Sequence, residues 1–539
     1  MVIAIKKYQI SILLSFSFVI LGCQHSPINF TDAQPPNLPE FTVLEQAPSL
    51  QPLTASISAQ HSIEPTSVKL SEIFTTHTWP IKNAATNSHS LNRIYFIGLS
   101  ATASLENPDV LIEAFSQRLS ELANQQHLPE ISACYNSIRF RASLHSITTT
   151  MQCSQPIENM LPLILGFWDI ESLSHINIET VQRNLNLNKH IGAFTGSEID
   201  KAFRNQLLGK QHPYNLNIAN QELVKALDEP ERLSQLHRST RDKMQWHLFS
   251  ATADNSDTHN LSSSHNLSSN MAREITWPSW LMQNNSHHSA HNGQRGSGND
   301  STLHESPNAD PDSDSGSKLN QKQTIYLIDA PDTVQTQVRL GFITDNKKQS
   351  HSLLSPPQAT LDSSLGCKTI APLLGRSYTG RLFYDLRETR GLTYGIYGRC
   401  IDAPLSQYLY FYGNTALENS GAFIKGIVDH TQLITQQTVS QTEIDAVATY
   451  LMGQRQLSMD NTFGRESDYI RNLLSGKSAV QAQQQVNAIN SLTPEQLRQL
   501  SIETLSSVPT IVLRGDADKI SQDINEKLPN WKIERISAN

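Results

Sequence analysis

The sequence predicts an α+β protein of two similar units, each a mixed sheet with helices, joined by a long low-complexity linker. Three observations carry this. A run of strand, helix, hairpin and helices occurs twice along the 539 residues, which reads most economically as a duplicated unit. The strands alternate apolar and polar positions, as sheets covered on a single face do. Between the copies, residues 251–323 are dominated by Ser, Asn, Asp, His and Gly and cannot bury enough apolar area to offset their ordering entropy.

Taken in order, the chain opens with Lys6 and Lys7 ahead of an apolar run, Ile10–Leu21, that is too short to span a bilayer as a helix. The run ends in Ile20-Leu21-Gly22-Cys23, which resembles a bacterial lipobox. Residues 1–23 then read as a lipoprotein signal peptide with Cys23 as the lipidated first residue. The other reading is a plain signal peptide with an incidental cysteine. Since Gln24 is not the aspartate of an inner-membrane retention signal, the expectation is a chain held by lipid at the periplasmic face of the outer membrane of a Gram-negative bacterium. Several acyl chains would be needed, because one alone binds only marginally. Residues 24–74 form a tether, with Pro27, Pro35, Pro36, Pro39, Pro48 and Pro52 and no sustained periodicity through residue 60.

The first unit covers residues 75–250. Arg93–Thr102 alternates as a strand, and Val110–Ala123 has helical spacing through Leu111, Phe115, Leu119 and Leu122. A hairpin is expected from Ile131 to Cys153, then a helix over Pro156–Trp168 with Pro at its start. Within the linker, Ile275-Thr276-Trp277-Pro278-Ser279-Trp280-Leu281-Met282 breaks the polar pattern. It either docks on a neighbouring domain or is a sticky patch in a linker. The linker histidines (His259, His265, His287, His288, His291 and His304) read as solvated low complexity rather than as a metal site.

The second unit covers residues 324–539. Thr324–Ile328 and Gln335–Phe342 read as strands, Leu361–Leu374 and Arg381–Thr389 as helices, Leu392–Asn414 as a hairpin and Glu418–Leu433 as a helix. Ser440-Gln441-Thr442-Glu443 and Thr493-Pro494-Glu495-Gln496 fit capping boxes that open helices running to about Leu457 and Leu505. Val508–Leu513 reads as a strand.

Composition narrows the function. A formal net charge of −8 with 17% charged residues, and no basic patch, argues against a nucleic-acid partner. Beyond Cys23 the cysteines are Cys134, Cys153, Cys367 and Cys400. An even number in an exported protein permits two disulfides and equally permits four buried thiols. Cys134–Cys153 would bridge adjacent strands, and Cys367–Cys400 would tie a helix to a strand. None has C-x-x-C spacing.

The chemistry-bearing stretch is Leu386–Tyr394, LRETRGLTY. Leu382, Phe383 and Leu386 recur at helical spacing, and Gly391 sits where a left-handed C-terminal cap belongs. Arg387 lies one turn beyond Phe383. In the following strand, Tyr394, Ile396, Gly398 and Cys400 are expected on one face. The turn can therefore bring the Arg387 guanidinium and the Tyr394 hydroxyl to one place, a pair suited to binding a carbonyl and the oxyanion it becomes. On spacing alone, an arginine paired with Glu388 and a half-buried tyrosine is the simpler account.

This stretch resembles the C-terminal domain of the pitrilysin/insulinase (inverzincin) metallopeptidase family, which carries L-R-x-x-x-x-G-L-x-Y-like sequences. Leu373-Leu374-Gly375, Arg381-Leu382-Phe383, Asp329-Ala330-Pro331 and Val512-Leu513-Arg514-Gly515-Asp516 fit the same pattern, so the similarity spans residues 324 to about 516. More weakly, Gln211-His212-Pro213-Tyr214 resembles a G-x-H-P-Y element in the family's first half. The resemblance implies two homologous domains forming a half clamshell, with Arg387 and Tyr394 contacting substrate near the scissile bond. Active members carry H-x-x-E-H, in which two histidines hold Zn²⁺ and the glutamate activates its water. That motif occurs nowhere in this chain. Ala114-Phe115-Ser116-Gln117-Arg118 is the best counterpart, and His127-Leu128-Pro129-Glu130, expected as a loop before a strand, lacks the second histidine.

The leading expectation is a non-catalytic subunit with no cofactor of its own. It would act with a zinc-bearing homologous peptidase subunit on peptide substrates and supply Arg387 and Tyr394 in trans. The alternatives are a non-enzymatic envelope binding or assembly protein, like core subunits of the respiratory cytochrome complex, and a self-sufficient zinc peptidase with a rearranged site.

Overall fold

The computed structural model describes residues 65–79, 91–100, 105, 107–143, 145–169, 173–215, 230–251, 275–282, 323–344, 361–376, 379–403, 405–459 and 462–537. The signal segment with Cys23, the tether up to residue 64 and the linker histidines lie outside these residues.

Two six-stranded sheets organise the chain. The first contains β1 (Thr66–Lys69), β2 (Phe74–Trp79), β3 (Asn92–Ser100), β4 (Arg139–Ala142), β5 (Ser146–Cys153) and β6 (Met244–Ala251). The second contains β7 (Gln323–Asp329), β8 (Gln335–Ile343), β9 (Thr393–Ala403), β10 (Ser406–Ala416), β11 (Thr510–Gly515) and β12 (Trp531–Ile536). Their orders are β1-β2-β6-β3-β5-β4 and β12-β7-β11-β8-β10-β9. Setting aside the outer strands β1 and β12, both read first-fifth-second-fourth-third in chain order. The first–fifth pair is parallel in each and the other pairs are antiparallel. Identical order and sense over five strands is the duplication expected from the repeated element pattern.

The first unit adds helices α1 (Pro108–Gln125), α2 (Pro129–Ser137), α3 (Ile157–Leu165), α4 (Ile178–Thr195), α5 (Ser197–Leu208) and α6 (Pro230–Asp242). The second adds α7 (Leu361–Gly375), α8 (Ser420–Gln436), α9 (Gln441–Ser458), α10 (Thr462–Leu474), α11 (Ala479–Asn490), α12 (Pro494–Thr504) and α13 (Ala517–Lys527). Both expected capping boxes form, at Ser440/Glu443 and Thr493/Gln496, and Ser478/Gln481 makes a third at α11. Among the described residues no helix is long and apolar enough to cross a membrane.

Each unit has its own core. Phe74, Ile94, Phe96, Phe115, Trp168 and Trp246 centre the first, and Leu340, Phe383, Leu386, Phe411 and Phe423 the second. The other face of each sheet is not left to solvent, as a layer covered on a single face would be. Instead each half lends the other a helix. From the first half, α5 places Ile199, Ala202 and Phe203 on Ile328, Tyr408, Tyr410 and Val512. From the second, α10 places Ile470, with Tyr469 beside it, on Trp79, Tyr95, Ile97 and Phe249. Polar contacts fix both exchanges. Glu466 on α10, 1% exposed, accepts from Arg93 Nη1 at 2.7 Å and from the Tyr95 hydroxyl at 3.0 Å. On α5, Glu198 accepts from Arg514 at 2.6 Å and Asp200 from Arg339. The His212-Pro213-Tyr214 element serves the same junction, since the buried Tyr214 hydroxyl accepts from the Leu405 backbone N–H at 3.0 Å, in the turn between β9 and β10.

Several expectations change. Residues 131–137, expected as the start of a hairpin strand, lie in α2 (Pro129–Ser137), because Pro129 fits the first turn of a helix, where its missing N–H costs nothing. His127-Leu128 therefore precedes a helix rather than a strand. Cys134 and Cys153 are disulfide-bonded with Cα atoms 5.1 Å apart, and the bond joins α2 to β5 rather than two strands. Cys367–Cys400 joins α7 to β9. The tether ends before residue 74, since Thr66–Lys69 pairs with Thr75–Thr78 as β1. The Trp277/Trp280 island docks on its own N-terminal unit: Trp277 lies 5.0 Å from Phe74, Trp280 5.5 Å from Trp246, and the Ser71 hydroxyl donates to the Leu281 carbonyl at 2.6 Å. Beyond the expected elements are β2, β6, α4, α5 and α6 in the first unit and α10, α11, α13 and β12 in the second.

Candidate functional site

The segment from Arg381 to Asn414 is pinned before it reaches its exposed residues. At its start, Arg381 and Glu443 form a buried two-pronged ion pair at 2.7 and 2.9 Å. Four residues on, Asp385 accepts from Arg390 Nε at 2.8 Å and from His430 Nε2, fully buried on α8, at 2.9 Å. Burial pushes the Asp385 pKa up, but the His430 and Arg390 hydrogen bonds outweigh it and hold the carboxyl below its ordinary range.

Between these anchors the helix is not the α-helix that the spacing suggests. Phe383–Thr389 is a π turn, a rare form in which one extra residue is accommodated per turn. It closes on Gly391 at φ 65°, whose N–H donates to the Arg387 carbonyl while Leu392 N–H reaches back to Leu386. The wider turn keeps residues four apart nearly in line, so the Arg387 guanidinium lies 4.7 Å from the Phe383 ring centroid.

The following strand begins with a bulge. Thr393 pairs with Thr415 and Ile396 with Gly413, so Tyr394 and Gly395 together oppose Asn414. The Thr393 hydroxyl holds the bulge, donating to the Asn414 carbonyl and accepting from Gly395 N–H at 3.1 Å. One extra residue breaks the two-residue period. Tyr394 is therefore not on the face of Ile396, which is fully buried, but stands 84% exposed. Alternation alone could not reveal this.

The structure does bring Arg387 and Tyr394 together, in a geometry other than the expected one. The guanidinium lies over the Tyr394 ring, 4.6 Å from its centroid, so the cation meets the π face. The simpler account also has its share, since Glu388 lies 3.4 Å from Arg387 Nε. Beside Tyr394 opens a cavity of about 460 Å³ whose walls include Arg339, Tyr397, Tyr412 and Asn414, with Thr195 and Gly196 from the first half. Tyr397 and Tyr412 lie 5.4 Å apart, and Arg339 sits 5.2 Å over Tyr412. The sequence reading missed these three residues, although the alternation Tyr408-x-Tyr410-x-Tyr412 marks an aromatic strand face.

The first half does not fit a zinc ion at the matching position. On α1, Ala114 and Phe115 are fully buried, and Phe115 packs against Trp168 and Phe167. The Ser116 hydroxyl donates to the Ile112 carbonyl, and Arg118 pairs with Glu121 at 3.2 Å. A core phenylalanine and a paired arginine offer no lone pair to a cation. Among the described residues no three His, Cys, Asp or Glu side chains are grouped to hold a metal.

Comparison with known proteins agrees with the fold. Residues 297–451 match the family described as the peptidase M16 inactive domain. A peptidase M16 inactive domain from Pseudomonas fluorescens superposes with TM-score 0.54 at 15% identity, covering 84% of this chain and 98% of that one. A protease from Helicobacter pylori gives 0.54 at 10% identity, over 84% and 100%. A chain of Complex III2 from Candida albicans gives 0.56 at 11% identity, over 87% and 100%. No curated protein matches the sequence. Residues 297–451 thus match the peptidase M16 inactive domain, and the duplicated α+β fold is similar to that of M16-like structures, while the sequence carries no H-x-x-E-H.

Proposed function

We propose that this chain is the non-catalytic partner subunit of a heteromeric zinc peptidase, acting on peptides in the cell envelope. The observation that carries the reading is the Arg387–Tyr394 pair: Arg387, on a pinned π turn, lies 4.6 Å from the Tyr394 ring, and the exposed Tyr394 lines a cavity. A cation rigidly held by Phe383, Tyr394 and Glu388 is pre-organised for a substrate carbonyl and for the charge that develops on it. Since the sequence carries no H-x-x-E-H, the zinc and its activated water would come from a homologous subunit that does. The apolar run ending at Cys23 supports delivery to the envelope and a lipid anchor there.

The test is reconstitution. The purified chain alone should neither retain zinc nor cleave peptides. Mixing it with a secreted zinc-bearing homologue from the same genome should create activity. Arg387→Ala should lower kcat/KM of the mixture 10²-fold or more, in the range seen when a single oxyanion donor is removed. Chelator-sensitive cleavage by the isolated chain would sink the proposal.

A second reading is an assembly protein without proteolytic role, supported by the fold likeness to a chain of Complex III2. Recovery of this chain in an envelope complex without any H-x-x-E-H homologue, with function unaltered by Tyr394→Phe, would favour it.

A further inference from the structure

A further cavity lies away from Tyr394. It occupies about 930 Å³ between α7, α9, α10 and α11 and the far end of β9. Tyr394 and Cys400 on its wall are six strand positions apart, about 20 Å at the usual rise. The helix side is locked in place by the Cys367–Cys400 disulfide and by Gly375 against Gly398, where a Cβ on Gly375 would come within 2.1 Å of backbone.

The wall is cationic on an acidic chain. Lys368, Arg376, Arg399, Arg455, Arg471 and Lys477 line it, against only Asp402 and Asp468. Arg399 turns its guanidinium over Tyr412 on the opposite side of the sheet. The charges that remain are not cancelled from within. Lys368 and Lys477 both reach the same oxygen of Asp402, which also accepts from Ser364 at 2.7 Å, while Gln407 donates to the other oxygen at 3.1 Å. That carboxylate is saturated, and one ammonium charge beside it is uncompensated. Burial, then the neighbouring Lys477, lowers the Lys368 pKa to about 8. Arg455 and Arg471 likewise share Asp468, each at 3.5 Å. Arg376 donates to the Ala446 carbonyl and lies 4.8 Å over the Tyr450 ring, neither of which carries charge to balance it. Half-buried cations in this state are costly, and an incoming anion relieves the cost.

Two features select among anions. Ala371, Pro372, Leu451, Val486 and Ile489 give the cavity an apolar floor and room for several residues. The wall from Gly398 to Ala403 belongs to β9, the end strand of its sheet, paired with β10 alone. An extended backbone can add to such an edge.

We propose that this cavity is a second binding site, independent of the Arg387–Tyr394 pair, that takes an acidic peptide segment. Its carboxylates meet Lys368, Lys477 and Arg376, and its backbone runs along β9.

The test uses the full chain and fluorescein-labelled hexaglutamate and hexaglutamine peptides, followed by fluorescence anisotropy. Hexaglutamate should bind at least tenfold tighter, with an affinity that falls as salt is raised. Lys477→Gln and Arg376→Gln should each weaken it at least fivefold, while Arg387→Ala leaves it unchanged. Arg471→Glu, at a rim position with a 63% exposed side chain, serves as the variant least able to disturb folding and should weaken binding similarly. Equal binding of the two peptides, or hexaglutamate binding unaffected by Arg471→Glu in a protein of unchanged melting temperature, would overturn the proposal. So would displacement of hexaglutamate by inorganic phosphate at equal charge concentration, which would mark a site for free anions instead.

Discussion

Arg387 reaches Tyr394 because Asp385, two residues earlier, is tied on both sides. With His430 and Arg390 as donors, the Asp385 carboxylate pins the π turn to α8 and to its own C-terminus. The pKa of Asp385 is lower in the folded chain than in the unfolded one, so folding favours its ionised form. Its contribution to stability is present above the ordinary aspartate pKa and is lost as pH falls through the depressed folded value. Asp385→Asn should therefore cost about 2 kcal/mol at pH 7, by weakening two hydrogen bonds to a charged acceptor. The same variant should flatten the acid limb of a plot of melting temperature against pH. Arg387→Ala should change the melting temperature by little, since its one carboxylate partner, Glu388, is half exposed. If Arg387→Ala proved the more destabilising of the two, the arginine would be a structural rather than a substrate-facing residue.

At the scale of elements, the informative departures are those that shift a period by one. The π turn adds a residue to a helix and the bulge adds one to a strand, four residues apart. Together they turn Tyr394 to solvent with Arg387 over its ring, whereas regular elements would place Tyr394 on the Ile396 face. Helices α5 and α10 carry the other message. Each has an apolar face that its own half does not use, and each docks on the partner sheet. Glu466 is the polar anchor of α10. Removing it strands Arg93, only 18% exposed, without its carboxylate. Glu466→Ala should cost about 3 kcal/mol, measured by denaturant unfolding. A loss under 1 kcal/mol would mean that α10 docks by apolar contact alone.

For the whole molecule, this exchange makes the halves interdependent. Neither sheet is covered on both faces without the other half, and three polar junctions, at Glu466, Glu198 and Tyr214, tie them. The full chain should unfold in one transition. Residues 65–282 and 323–537 expressed apart should aggregate or stay partly unfolded, and should associate when co-expressed. Two separate transitions in the intact chain would show instead that the halves fold alone.

The local rules could be read directly. Capping boxes at Ser440 and Thr493, the left-handed glycine at 391, the alternating strands and the repeated element order depend on neighbours in sequence, and the residues carry that information themselves. The absence of H-x-x-E-H is likewise a property of the chain alone. The exact orientation of Tyr394 was not legible, because a bulge depends on how β9 registers against β10, twenty residues away. The π turn, the docking of the Trp277/Trp280 island and the exchange of α5 and α10 also rest on partners distant in sequence. So does the cationic cavity, whose lysines at 368 and 477 meet only when α7 packs beside the start of α11. LRETRGLTY by itself named the two residues, and the tertiary structure decided that the arginine lies over a solvent-facing tyrosine that lines a cavity, since only packing sets which side of a bulged strand faces solvent.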